Sequence, residues 1–173
     1  MAIRGFIAMS LDGFIADADG GVDWLQPFEA VDYGYQSFIA TICTVVLGRS
    51  TFDQVASFGV AWPYEGKRGI VVTSRPLDHS HPGVEAWGEG VELLAAHLRA
   101  ANGGDAWVVG GARLQAAFIA AGALDRLDLF VIPVLLGDGV PLFPKVQGQP
   151  RRMTLRGAAT LGLGMVRLAY DLR

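Results

Sequence analysis

The feature that most constrains this chain is the alternation of short, wholly apolar runs with amphipathic helical patterns. Residues 44–47, 69–73 and 106–109 are each nearly all apolar and lead into glycine or hydroxyl residues. Runs of that length, apolar on both faces, belong in the middle of a sheet covered by helices. Residues 3–9 alternate instead, which places Ile3, Gly5, Ile7 and Met9 on one face of a first strand. Between the strands, Tyr35, Phe38, Ile39 and Ile42 fall at i, i+3, i+4 and i+7. Val91, Leu94, Ala95 and Leu98 repeat that spacing, as do Leu114, Ala117, Phe118 and Ala121. Strand and helix therefore alternate to about residue 124, the pattern of parallel βαβ units. Beyond it the rhythm breaks. Residues 127–136 form one long strand-like run, a turn follows at Gly137-Asp138-Gly139-Val140-Pro141, and residues 153–156 and 165–171 read as two strands with no helix between them. Pro133 is expected near an edge or bulge. The expectation is one α/β domain over residues 1–173, with a mainly parallel sheet ending in antiparallel strands.

Composition removes several classes of function. Fourteen basic and 17 acidic residues give a net charge of −3, so no electrostatic footprint for nucleic acid stands out. Half the chain is apolar (51%), yet glycine, proline or a charge breaks every apolar run well before the ~18 residues of a membrane span. The first residues carry Arg4 and no signal-peptide core, so a cytoplasmic protein is expected. A single cysteine, Cys43, excludes an internal disulfide framework and reads as a small core residue. No metal site is expected. His79 and His81 fall in a polar loop without a carboxylate at ligand spacing, and His97 falls on a helix.

Three strand ends carry chemistry suited to a dinucleotide, because ligands of open α/β sheets bind beyond the carboxyl ends of the strands. At Gly48-Arg49-Ser50-Thr51, Ser50 is expected to cap a helix from about Thr51 with Asp53 in its first turn. Free N–H groups, hydroxyls and Arg49 suit a phosphate there; a capped helix with a solvated arginine fits equally. At Thr73-Ser74-Arg75-Pro76, two hydroxyls and a cation suit a ribose 2′-phosphate, or make an ordinary polar turn. At Gly110-Gly111-Ala112-Arg113-Leu114, glycines admit a pyrophosphate close to a helix N-terminus. This last segment is neither a Rossmann fingerprint nor a Walker loop.

On the substrate side, Ser10-Leu11-Asp12-Gly13-Phe14-Ile15-Ala16 leaves the first strand, and Gly13 with Gly20-Gly21 allows the loop to bend. Asp12 can hydrogen-bond a substrate, or simply start an Asp-Gly turn. Trp24 either covers a pocket or belongs to the core. Asp32 opens the first helical pattern, as a dipole complement or as a carboxylate facing the cleft.

Taken in order, Ser10–Ala16, Gly48-Arg49-Ser50-Thr51-Phe52, Val108-Val109-Gly110-Gly111-Ala112-Arg113, residues 127–139 and Pro141-Leu142-Phe143-Pro144 resemble the dihydrofolate reductase superfamily. Within it the chain is most similar to the branch containing the reductase domain of bifunctional riboflavin-biosynthesis deaminase/reductases. The resemblance implies a three-layer fold with an eight-stranded, mainly parallel sheet, helices on both faces and a C-terminal antiparallel hairpin. It also implies NADPH, held by Gly48, Arg49, Ser50, Thr51, Gly110, Gly111, Ala112, Arg113 and Leu114, with Thr73, Ser74 and Arg75 near the 2′-phosphate. A pyrimidine or pterin substrate would face Ala8, Ser10, Asp12, Trp24 and Asp32, with Asp32 and Asp12 as the carboxylates assisting hydride transfer to a C=N bond. The implied activity is most like that of 5-amino-6-(5-phosphoribosylamino)uracil reductase. True dihydrofolate reductase activity and a non-catalytic NADPH-binding module are the alternatives. The deaminase domain has no counterpart here, and the folate enzymes' arginine anchor has no clear match. A homodimer is consistent with the high apolar fraction.

Overall fold

Val45, Val46 and Leu47 are each 0% exposed, so their strand has no solvent face and lies inside the sheet. The computed structural model describes residues 1–59, 61–78, 81–101, 103–144 and 151–172. Along the chain come β1 (Ile3–Ser10), β2 (Phe14–Ala16), a 3-10 turn (Asp23–Phe28), α1 (Tyr35–Ile39), β3 (Ile42–Gly48), α2 (Arg49–Ser57), β4 (Arg68–Val72) and β5 (Val84–Trp87). There follow α3 (Val91–Ala100), β6 (Asp105–Gly110), α4 (Ala112–Ala120), β7 (Arg126–Ile132), β8 (Val140–Pro141), β9 (Thr154–Thr160) and β10 (Val166–Asp171).

Eight strands form one sheet in the order β5-β4-β3-β6-β1-β7-β10-β9. Parallel pairing joins β5 through β7, and antiparallel pairing adds β10 and then β9. β2 and β8 make a separate antiparallel ribbon. Helices cover both faces. On one, Leu94 and Leu98 of α3 and Leu114 and Phe118 of α4 pack on Ile3, Val46 and Ile70. On the other, Phe38 of α1 and Phe52 of α2 pack on Phe6, Val45, Leu47 and Val71. Each such side chain stabilises the fold by roughly 1.5–3 kcal/mol relative to leaving it in water. The alternation in β1 is realised: Ile3, Ile7 and Met9 serve the first core, Phe6 and Ala8 the second.

Three local expectations change. The helix at Tyr35 is a short one, because the Thr41 hydroxyl donates to the Phe38 carbonyl at 2.7 Å and the chain turns at once into β3. Ile42, the fourth residue of the presumed helical stripe, is a strand residue packed in the second core. α2 starts at Arg49 with Gly48 as its N-cap, so Ser50 lies inside the first turn and Asp53 beyond it. The strand runs directly into the helix and leaves no residue for a serine cap. Finally, β7 lies inside the sheet rather than at its edge, and it stops at Ile132, where Pro133 has no N–H to continue a ladder.

From β1 the chain crosses to β3 and leaves between them a place that β6 later fills. The carboxyl ends of β1, β6 and β3 thus lie side by side where the winding reverses, which is where such sheets hold ligands.

Candidate functional site

Two concavities lie along these strands, one bordered by residues of the first core and the other walled by residues of the second. The first is a groove of about 620 Å³ between the ends of β3 and β6. Gly48, Arg49, Ser50 and Thr51 line one wall, and Gly111, Ala112, Arg113 and Leu114 line the other. Val72, Val91, Ala117 and Val140 complete it. A Cβ on Gly48 would stand 3.5 Å from the Gly111 nitrogen, and one on Gly111 would stand 3.3 Å from Thr51 Oγ1. The two turns therefore leave room for little more than a Cβ between them, and larger side chains would crowd the floor. The Gly110–Gly111 peptide is cis. α2 and α4 both begin here with neither a side-chain cap nor an acid in the first turn. Their first N–H groups and positive dipole ends are left for an anion.

The arginines divide their work. Arg49 lines the groove, but its Nε donates to both Asp53 carboxylate oxygens at 2.8 and 2.9 Å. Its Nη1 donates to the Pro76 carbonyl at 2.7 Å, and its Nη2 to Asp78. These acceptors, Asp53 first, make its proton still harder to remove. Arg49 thereby ties α2 to the loop after β4. Arg113 is exposed and makes no ion pair among the described residues. Thr73, Ser74 and Arg75 follow the groove residue Val72 without lining the groove themselves. Thr73 Oγ1 accepts the Arg75 N–H at 3.1 Å, which fixes the turn, and Ser74 and Arg75 are exposed.

The second concavity, about 270 Å³, is walled by Phe6, Ile7 and Ala8 of β1, Trp107 of β6, Phe130 and Ile132 of β7, and Met165. Leu25 and Phe28 of the 3-10 turn close it, with Glu29, Tyr33 and Tyr35. Its rings are set against one another: Phe6 and Phe130 have centroids 4.6 Å apart, and Tyr33 meets Phe130 edge-on at 5.6 Å. Burial raises the phenols of Tyr33 and Tyr35 above the ordinary tyrosine range, so both stay neutral. Trp107 lines this cavity and Gly111 the groove. Four residues at ~3.3 Å each put the two sites within ~13 Å along β6.

Of the residues expected to face a substrate, Ala8 lines the aromatic cavity and the others do not. Trp24 packs on the second core, while its neighbours Leu25 and Phe28 reach the cavity. Asp32 is exposed and accepts the Gly34 N–H at 2.9 Å, so it shapes the turn before α1. The carboxylate that lines the cavity is Glu29. Ser10 is 0% exposed; its hydroxyl donates to Asp12 at 2.6 Å and accepts the Phe14 N–H at 2.9 Å. Asp12 also accepts the N–H groups of Leu136 at 3.1 Å and Gly137 at 2.7 Å. These bonds, led by Ser10, hold its carboxyl below the ordinary aspartate value. Asp12 is a latch between two loops, reinforced by the β2–β8 ribbon and by the Leu142 N–H on the Gly13 carbonyl at 2.9 Å.

The aromatic wall had a weak sequence signal. Phe28, Tyr33 and Tyr35 crowd one short segment without a helical period, while Phe6, Trp107 and Phe130 read only as strand core. Among the described residues no three histidine, cysteine or acidic side chains gather as a metal site. His81 stacks on Trp62 and His97 lies beside Trp87; His79 lies outside the described residues. No helix among the described residues is long and apolar enough to cross a membrane.

The fold is that of dihydrofolate reductase. The Enterococcus faecalis dihydrofolate reductase complexed with NADP(H) superposes with a TM-score of 0.70 at 23% identity, covering 98% of this chain and 95% of that one. The RibD C-terminal domain profile matches residues 2–167, and the chain belongs to that family. A protein of Shewanella sp. PV-4 assigned to riboflavin biosynthesis superposes with a TM-score of 0.88 at 28% identity, covering 100% of this chain and 99% of that one. YwjB of Bacillus subtilis, itself uncharacterized, is 39% identical over 158 residues, spanning 91% of this chain and 90% of the relative. Family and fold together support a reductase-type role.

Proposed function

We propose that the protein is an NADPH-dependent reductase that delivers hydride to a C=N bond of a pyrimidine- or pterin-type substrate held in the aromatic cavity. The observation that carries this reading is the approach of Gly48 and Gly111, where a Cβ on Gly48 would stand 3.5 Å from the Gly111 nitrogen, beneath two helix starts that lack caps. A cradle that a side chain would fill, ringed by N–H donors, fits a pyrophosphate. Ser50 and Thr51 add hydroxyls, and Arg113 adds a cation free to meet a phosphate. Arg49 acts indirectly by holding the loop that carries Arg75, and Arg75 stands ready for a 2′-phosphate.

When bound, the nicotinamide supplies the hydride, and the chemistry is the cofactor's. The chain contributes alignment and a dry wall. The apolar side chains of Phe6, Ile132 and Met165 exclude water from one side of the ring, and Tyr33 and Tyr35 present neutral phenols. Glu29 is the carboxylate placed to pass a proton to the reduced nitrogen. Titration of tryptophan fluorescence with NADPH and NADH tests the reading. NADPH should bind in the micromolar range or tighter and NADH at least tenfold more weakly, a difference of about 1.4 kcal/mol. Binding of neither would remove the oxidoreductase assignment.

A further inference from the structure

We propose that the aromatic cavity takes a planar ring without a phosphate and rejects one carrying a sugar-phosphate tail. The proposal rests on the reductase reading and narrows its substrate. A phosphate site needs cations or several converging N–H donors. Among the described residues, neither lysine, arginine nor histidine lines this cavity, and its one acidic residue is Glu29. A tail leaving the ring would therefore meet repulsion without attraction.

Cations on the neighbouring elements are already engaged. Arg4, on the same strand face as Phe6 and Ala8, donates to Asp105 and to Asp128, each at 3.3 Å, and lies over the Phe38 ring. Arg167, opposite Phe130 in the β10–β7 register, donates to Asp128 at 2.6 Å. Lys67 gives its ammonium to the Ile39 and Ile42 carbonyls at 2.9 and 2.8 Å. Arg4 and Arg167 share the buried Asp128, so withdrawing either would halve the cationic partners of that carboxylate. Size argues the same way. At about 270 Å³ the cavity lies below the ~300–1,000 Å³ common for ligand sites, so it holds a ring and leaves a phosphorylated tail outside.

The test compares a ribitylaminopyrimidine with its terminal-phosphate ester, titrated against the protein with and without saturating NADPH and read by tryptophan fluorescence. The unphosphorylated compound should bind at least tenfold more tightly in both series. Equal or tighter binding of the ester overturns the proposal, as does failure of the unphosphorylated compound to bind. Glu29→Lys, a change at an exposed position, gives a second reading. It should shift the preference toward the ester by at least tenfold, and an unchanged ratio would count against the proposal. The NADPH titration alone judges the reductase reading, so the two claims fail separately.

Discussion

The groove and the aromatic cavity are built on the same sheet but from different materials. The groove is made largely of backbone: glycines at two strand ends and the first turns of two helices. The cavity is made of side chains that also form the core, since Phe6, Trp107, Phe130, Ile132 and Met165 all belong to the second hydrophobic cluster. An exposed groove residue such as Arg113 can therefore change with little effect on folding, whereas Leu114 lines the groove but belongs to the first core. Cavity residues cannot change so freely, and their substitution should cost stability before it changes specificity.

The largest effect should come from Phe130→Ala. Phe130 is 2% exposed and packs on Phe6 and Tyr33. Its truncation should cost about 3–5 kcal/mol in denaturant unfolding. A loss below about 1 kcal/mol would show that this wall is independent of the core and would break the contrast. Next is Gly48→Val. The residue's φ of −75° and ψ of 158° suit any side chain, so the fold should stand while added methyls enter the groove. NADPH affinity should fall about a hundredfold, about 2.7 kcal/mol, with an unchanged unfolding midpoint. A large drop in stability instead would place Gly48 with the core.

Arg113→Ala should weaken NADPH binding about tenfold, about 1.4 kcal/mol, and NADH binding less if Arg113 reaches the 2′-phosphate. Equal losses would move its contact to the pyrophosphate. The smallest effect concerns Asp12, which belongs to neither wall but latches the loops beside them. Its carboxyl is held below the ordinary aspartate value, chiefly by Ser10. The latch is therefore complete above pH ~3.9 and is lost as pH falls through the lowered value. Asp12→Asn should lower the protection of the Leu136 and Gly137 amides at neutral pH, and protonation of Asp12 should do the same in acid. Exchange insensitive to both would dissolve the latch.

The same contrast explains what was legible in the sequence. Buried strands and the glycines that end them are local patterns, so the sheet and most of the groove could be read directly. Gly48, Gly111 and Arg113 are marked by position alone. The cavity is assembled from β1, β6, β7, the 3-10 turn and the residues before α1, and its members look individually like core. Asp32 was singled out because it opens the first helical pattern, whereas Glu29, three residues earlier, is the carboxylate that lines the cavity. The short turn of α1 hides this, because no helical period connects the two positions. Ser10 and Asp12 were noticed as polar loop residues, but the bonds of Asp12 to Leu136 and Gly137 depend on a chain segment more than 120 residues away.

The central claim is that the two concavities are halves of one active site, and a crystal structure of the NADPH complex tests it most directly. The expected result is the pyrophosphate against Gly48 and Gly111, with the nicotinamide directed toward Ala8 and Trp107 at the mouth of the aromatic cavity. A dinucleotide bound elsewhere, or one whose nicotinamide points away from that cavity, would contradict it.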